Sequence, residues 1–249
     1  MTTRTETSME VPTLENNPVS RIHMIGGEKG GVGKSMVSRL MAQYFIDHEM
    51  PFVGFDTDRS HGSLLRFYPE YASQVLVDSY EALDRIVEAA VELPGRRVLV
   101  DLAAQTQEPL VKWMDESGVL DMADLSGISL HYWHVMDAGR DSVDLLKRLL
   151  DRFGQRVHYV LVRNHLRGED FSLLNRSGEL ERALGLGAEV VDLRHLHDPI
   201  VNKIDAKNAS FWSARNVTSL DGPNLGLMER QRLKLWMSHA YDGINRIGP

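Results

Sequence analysis

The 249-residue chain contains no cysteine. Disulfides, thiolate zinc sites and cysteine-held iron–sulfur clusters are therefore excluded. It also lacks any run long and apolar enough to span a membrane, and residues 1–20 have no hydrophobic core of a signal peptide. The expectation is a cytoplasmic protein with no membrane partner. Positive charge is in deficit: 28 Lys and Arg stand against 35 Asp and Glu, a net charge of −7. That balance argues against constitutive, tight nucleic-acid binding through the whole surface, although a local basic patch would escape it. Internal repeats are absent, and nothing in the pattern marks a second domain. What is present is 43% apolar residues over a length that suits one α/β domain with a sizeable core. Residues 1–19 are polar and rich in Thr and Glu, and are expected to form a disordered tail ahead of a single domain over 20–249.

Apolar periodicity alternates along that domain. Strand-like runs cover 20–25 (SRIHMI), 51–55 (PFVGF), 97–103 (RVLVDLA), 130–136 (LHYWHVM), 157–164 (VHYVLVRN) and 188–193 (AEVVDL). Helical spacing appears over 35–47, 80–91, 108–116, 142–153 and 225–247. The strands are near-continuous apolar runs separated by helices, which predicts a mostly parallel sheet flanked by helices on both faces. In such a sheet ligands sit beyond the carboxyl ends of the strands, so the residues just after each strand carry the most information.

After the first strand comes GEKGGVGKS, residues 27–35, leading directly into a helix. Gly30, Gly31 and Gly33 let the backbone turn tightly and bring N–H groups onto phosphate oxygens. The helix beginning near Lys34 points its positive end at the same anion. Lys34 can reach the β- and γ-phosphates, and the Ser35 hydroxyl can hold Mg²⁺. Strand, glycine loop and Lys-Ser helix in this order make a P-loop for a nucleoside triphosphate. The loop is unusual, because Glu28 stands where the ordinary motif has its first glycine, and a second lysine, Lys29, lies beside it. Asp56 and Asp58 follow the second strand as DTD. Asp101 ends an apolar run (Val98, Leu99, Val100), the pattern in which a carboxylate holds Mg²⁺ and orients the loop hydroxyl. Asn164 ends the fifth strand-like run and offers an amide with both donor and acceptor.

Lys29 to Ser35 reads KGGVGKS and resembles the altered Walker A loop of the ParA/MinD family of P-loop ATPases. The resemblance implies that Lys29 reaches the phosphates of a partner's nucleotide, giving a homodimer with ATP sandwiched at the interface. It further implies that Gly30, Gly31, Val32, Gly33, Lys34, Ser35 and Met36 bind the nucleotide. By the same resemblance Asp58 positions the attacking water, Asp56 joins Ser35 and Asp101 around magnesium, and Asn164 hydrogen-bonds adenine. Residues 193–196 would pass the other face of the base. Two departures bear on hydrolysis: Arg59 stands where many relatives have proline, and AAQTQEP (103–109) replaces the usual P-P-G or P-A-G. Turnover is therefore expected to be slow or partner-stimulated. Over most of residues 20–210 the chain resembles most the accessory ATPases of plasmid mobilisation and conjugation, the MobD/TraL type. IHMIGGEKGGVGKS, the DTD motif and HVMDAG carry that likeness.

These expectations converge on a switch ATPase that positions or processes DNA or a DNA-transfer complex, with DNA, a relaxase or a partition protein as partner. The alternatives are a positioning ATPase for a non-DNA cargo, such as a polar or secretion assembly, and a small-molecule kinase or synthetase. Lys29 favours the first two. Other features read more simply. His195, His197 and Asp198 lack a wider ligand set and suit a loop or helix start. Tyr132 and Trp133 suit a buried strand. The last helix, with Leu233, Trp236, Met237, Tyr241 and Ile244 on one face, suits docking onto the domain more than a membrane surface.

Overall fold

Strands that are apolar on both faces need cover on both faces, and the computed structural model provides it. It describes residues 19–60, 62–219 and 222–249; the expected tail, but for Val19, lies outside them. In chain order the elements are β1 (Arg21–Gly26), α1 (Lys34–Asp47), β2 (Phe52–Asp56), α2 (Ser63–Phe67), β3 (Ala72–Gln74), α3 (Tyr80–Glu92), β4 (Arg97–Asp101), α4 (Gln107–Glu116) and α5 (Val119–Leu125). There follow β5 (Ser129–Met136), α6 (Arg140–Phe153), β6 (His158–Asn164), a 3-10 turn (His165–Arg167), α7 (Ser172–Ser177), α8 (Glu179–Gly185), β7 (Glu189–Leu193), α9 (Asp198–Ala206), α10 (Phe211–Asn216) and α11 (Leu227–Ile247). The six strands expected from periodicity are present within a residue or two. The short β3 and helices α2, α5 and α7–α10 span too few turns to leave a periodic signature.

All pairings are parallel, in the order β3-β2-β4-β1-β5-β6-β7. The fold class expected from the sequence is the one observed. One core layer lies between the sheet and α3–α8, with Leu83, Ile86, Trp113 and Leu146 fully buried. The second lies between the opposite face and α1, α2 and α9–α11, and includes Ile25, Phe45, Trp133 and Phe211. Full burial of each such side chain stabilises the fold by roughly 1.5–3 kcal/mol. Tyr132 and Trp133 are core residues, as expected. The last helix docks: Leu233, Trp236, Met237, Ala240 and Ile244 are buried, and the Tyr241 hydroxyl bonds Asp47 of α1 at 2.9 Å. Among the described residues no helix is long and apolar enough to cross a membrane.

A row of imidazoles crosses the sheet on the α1 side. His23 (β1) is in register with His131 (β5), which is in register with His158 (β6), and their rings are 5.1 and 4.9 Å apart. The Trp133 indole can only donate, and it donates to His23 Nδ1 at 3.1 Å, so His23 is neutral with its proton on Nε2. That Nε2 is buried without a partner. Burial, followed by His131, Arg21 and Arg97 nearby, pushes the His23 pKa well below its ordinary value. Burial, then His158 and Arg21, lowers that of His131 to about 3.

Both histidines titrate lower folded than unfolded, so the neutral-ring stability is complete above the unfolded pKa of roughly 6.5 and declines as pH falls below it. Chemical denaturation between pH 8 and 5 should show stability decreasing below about pH 6.5. His23→Asn keeps an acceptor for Trp133 but does not titrate, so its stability profile should be flatter there than the wild type's. Equal slopes would exclude His23 as a source of the acid lability.

Candidate nucleotide site at the carboxyl edge of the sheet

Strand order puts β1 between β4 and β5, so the loop leaving β1 faces the ends of both. The loop backbone is tightly constrained. Gly33 has φ 97°, and a Cβ there would lie 2.2 Å from Asn164 Nδ2. Gly27 has φ 127°, and a Cβ there would lie 2.4 Å from the Val135 carbonyl oxygen. Only glycine satisfies both the conformation and the space. α1 begins at Lys34 with Gly33 as its N-cap, no side-chain cap and no acidic residue in its first turn. The first-turn N–H groups, which have no partner within the helix, are thus left to an anion.

Lys34 is buried at 8% exposure and donates from Nζ to the Lys29 carbonyl at 3.2 Å. Burial lowers its pKa, against the opposing pull of Asp101, Glu28 and Asp58. Opposite it, at the end of β4, Asp101 is fully buried beside Ser35 and Ser38, and its Oδ1 has no hydrogen-bond partner. Burial first, then the Asp56 carboxylate, pushes the Asp101 pKa up to about 7. An orphaned carboxylate oxygen next to a hydroxyl and a second acid has the chemistry of a place for a hard cation. Among the described residues no group of three or more His, Asp or Glu could hold a metal by itself. A cation here would need oxygens from a bound anion as well.

Asp56 is engaged differently. Its Oδ1 accepts from the Asp58 N–H at 3.0 Å and its Oδ2 from the Leu65 N–H at 3.1 Å. With a further bond from the Leu64 N–H, it ties the segment after β2 to the first turn of α2. Asp58 is half-buried, lines the cleft, and accepts from the Ser60 N–H at 2.9 Å. Arg59 turns away to an ion pair with Asp78 and is not part of the cleft wall. Ala103 and Ala104 do line the cleft, with Gln105 after them at φ 65°.

Lys29 also turns away from its own chain's cleft. Its Nζ lies 3.0 Å from Asp137 and 3.7 Å from Asp141. Burial alone would raise the Asp137 pKa, but bonds from Ser142 and Lys29 outweigh it and hold the carboxylate below its ordinary range. Asn164, 4% exposed, donates from Nδ2 to the Val32 carbonyl at 2.7 Å, and its Oδ1 accepts from the Leu166 N–H at 3.2 Å. One N–H and one lone pair of its amide are left over from these two bonds.

Lys34, Ser35, Asp58, Asp101 and Asn164 border one cleft of about 460 Å³ that runs from the loop to Leu193–Leu196 and α9, whereas Lys29 and Asp56 do not line it. Met36 lines it, whereas Val32 is packed into the core beneath. His195 pairs with Asp198 at 2.9 Å at the start of α9. Sequence reasoning missed three contributors. Thr57 Oγ1 donates to the Asp101 carbonyl at 3.1 Å and accepts from the Ala103 N–H at 2.8 Å, stapling β2 to β4. Arg39 lies buried in the cleft wall, 3.5 Å over the Phe67 ring and 2.9 Å from Asp205. Asp137, in the HVMDAG segment, anchors Lys29. Only the DTD neighbourhood of Thr57 and the acid of HVMDAG carried any sequence signal.

Fold and loop together are those of a P-loop NTPase. In sequence the chain is similar to Protein MobD of Acidithiobacillus ferrooxidans, at 26% identity over 223 residues, covering 88% of this chain and 94% of that protein. No family model matches the chain. Among solved structures it is similar in fold to the septum site-determining protein MinD of Pyrococcus horikoshii OT3, complexed with Mg-ADP. The TM-score is 0.52 at 14% identity, covering 92% of this chain and 98% of that one. A nucleotide-binding protein of Archaeoglobus fulgidus, in complex with ADP and with cobalt, gives a TM-score of 0.44 at 14% identity over 89% and 88% of the two chains.

The raised Asp101 pKa has a consequence for stability without metal. An acid whose pKa rises on folding costs stability as pH climbs from its unfolded value near 4 up to the folded value. Asp101→Asn should therefore stabilise the metal-free, nucleotide-free protein at pH 8, by on the order of 1–3 kcal/mol or roughly 3–10 °C in Tm. The gain should shrink toward pH 4. An unchanged or lowered Tm at pH 8 in chelator would refute the burial argument.

Proposed function

We propose that this protein is an ATP-dependent, dimerising switch ATPase that hydrolyses ATP to ADP and phosphate and acts on DNA or a DNA-transfer complex. The observation that carries the reading is the division of labour between two lysines on one loop. Lys34 is buried beside its own chain's cleft, while Lys29 is held on the rim by Asp137 and Asp141. That a lysine of this loop faces away from its own cleft supports a role toward a neighbour's nucleotide. The similarity to MobD over most of the chain supports the assignment to mobilisation and DNA transfer that the sequence motifs imply.

In this reading the N–H groups of residues 30–35 cradle the phosphates, and Lys34 exchanges its bond to the Lys29 carbonyl for the β- and γ-phosphate oxygens. Met36 and residues 193–196 border the nucleoside, with Asn164 spending its remaining donor and acceptor on adenine. Ser35 and Asp101, supported by Asp56, would hold Mg²⁺, which when bound neutralises charge on the phosphate oxygens. Asp58 accepts a hydrogen bond from the attacking water and aligns it with the γ-phosphorus as the bond to the β-phosphate oxygen breaks. Alignment and charge stabilisation are most of what phosphoryl transfer requires of a protein. Arg59 directs its charge to Asp78 instead of the cleft, which is in keeping with slow or partner-stimulated turnover.

Light scattering tests the dimer. Asp58→Ala with Mg-ATP should move from monomer to dimer and stay there, its turnover reduced by about 10²-fold or more. Lys29→Ala should bind ATP yet remain monomeric. A monomeric Asp58→Ala protein saturated with Mg-ATP would end the sandwich model. Salt-sensitive DNA retention should appear in the ATP state alone. Dimerisation without any such retention would favour a non-DNA cargo, and phosphate transfer to a metabolite would replace the switch with a kinase.

A further inference from the structure

The nucleotide cleft is closed on one side by the turn that follows β6, and that turn grips the phosphate loop from above. Asn164 is nearly fully buried, and its amide orientation is determined by its partners. The Val32 carbonyl can only accept, so it must meet Nδ2 at 2.7 Å, and the Leu166 N–H can only donate, so it must meet Oδ1 at 3.2 Å. The bond to Val32 lies immediately before Gly33, whose left-handed backbone leads into the first turn of α1. Asn164 Nδ2 also fills the space that a side chain on Gly33 would need. Three residues further on, Arg167 extends over the other shoulder of the loop. Its Nη2 is 2.6 Å from where a Cβ on Gly31 would stand, and its Nη1 is 3.8 Å from Asp137, the acid that anchors Lys29.

We propose that Asn164 is a positioning residue for the phosphate loop: it holds the Val32 carbonyl inward, so that the N–H groups that follow face the anion before any nucleotide arrives. This rests on the nucleotide-binding reading above and deepens it. An asparagine at this position is expected only to read the base. The geometry assigns it a base-independent task as well, because the bond to Val32 uses a donor that no base could share. Removing that donor leaves a buried carbonyl without a partner and frees a glycine-rich loop to adopt other conformations. The loss then falls on every phosphate ligand alike.

Calorimetric titration of the full chain with Mg-ATP, Mg-GTP and Mg-tripolyphosphate separates the two tasks. Asn164→Asp keeps the acceptor for Leu166 but turns a carboxylate oxygen toward the Val32 carbonyl; Asn164→Ala removes both contacts. Both variants should weaken Mg-GTP and Mg-tripolyphosphate by about tenfold or more and Mg-ATP by at least as much, any excess for ATP measuring the separate base contact. A loss confined to ATP, or no loss at all, would overturn the proposal. A measurement on the wild type needs no variant to fold: by NMR, one Asn164 side-chain amide proton should be protected from solvent exchange in the nucleotide-free protein. Rapid exchange of both protons overturns the brace. A wild-type chain that binds none of the three ligands, yet shows the protected proton, would remove the nucleotide reading and leave the brace.

Discussion

A phosphate loop has to hold its backbone N–H groups outward against their tendency to pair with the chain itself, and its surroundings answer that demand. Below the loop, the Tyr132 hydroxyl and the Val135 carbonyl occupy the space next to Gly26 and Gly27, where side chains would otherwise stand. Above it, Asn164 holds the Val32 carbonyl. At its end, α1 starts with no side chain competing for its first N–H groups. β1 sits at the centre of a parallel sheet, so each of these supports comes from a strand or helix packed on both sides. A loop with four glycines would be mobile in isolation; held by β5 and the end of β6 it has a defined backbone with N–H groups free for an anion.

The same edge of the sheet concentrates charge that the fold would be better without. Asp56 and Asp101 are buried side by side, and Asp101 keeps one oxygen without a partner. Lys34 is buried opposite them. Such an arrangement is unfavourable for the free protein; in the proposed function a cation–triphosphate complex would give each buried charge a partner. Thr57 joins the two acidic strand ends, its hydroxyl bonding the Asp101 carbonyl and the Ala103 N–H. Arg39 of α1 bridges α2 and α9, lying over Phe67 and pairing with Asp205.

Much of this was legible in the sequence. Apolar runs of four to eight residues located six strands, and the residues just beyond them (Lys34, Ser35, Asp56, Asp58, Asp101 and Asn164) all come to the carboxyl edge, since parallel strands place their ends together. Short elements were not legible: β3 and α2 rest on contacts with β2, not on their own periodicity. Nor was the use of each polar group. Asn164 has the same sequence signature whether it serves a base or a carbonyl of the loop, and Arg59 could not be assigned to Asp78 without the path of the chain between them.

The sequence by itself determined the P-loop, the alternation of strand and helix, and the types of group available to a triphosphate. Each is written in neighbouring residues, where backbone conformation and apolar spacing are local properties. The tertiary structure decided which groups meet. Lys29 rests on an aspartate 108 positions away, Asn164 on a carbonyl 132 away, and Arg39 on an acid 166 away. Those distances follow from the order of strands across the sheet. An apolar strand pattern is equally compatible with many orders, so only the packed sheet could determine them.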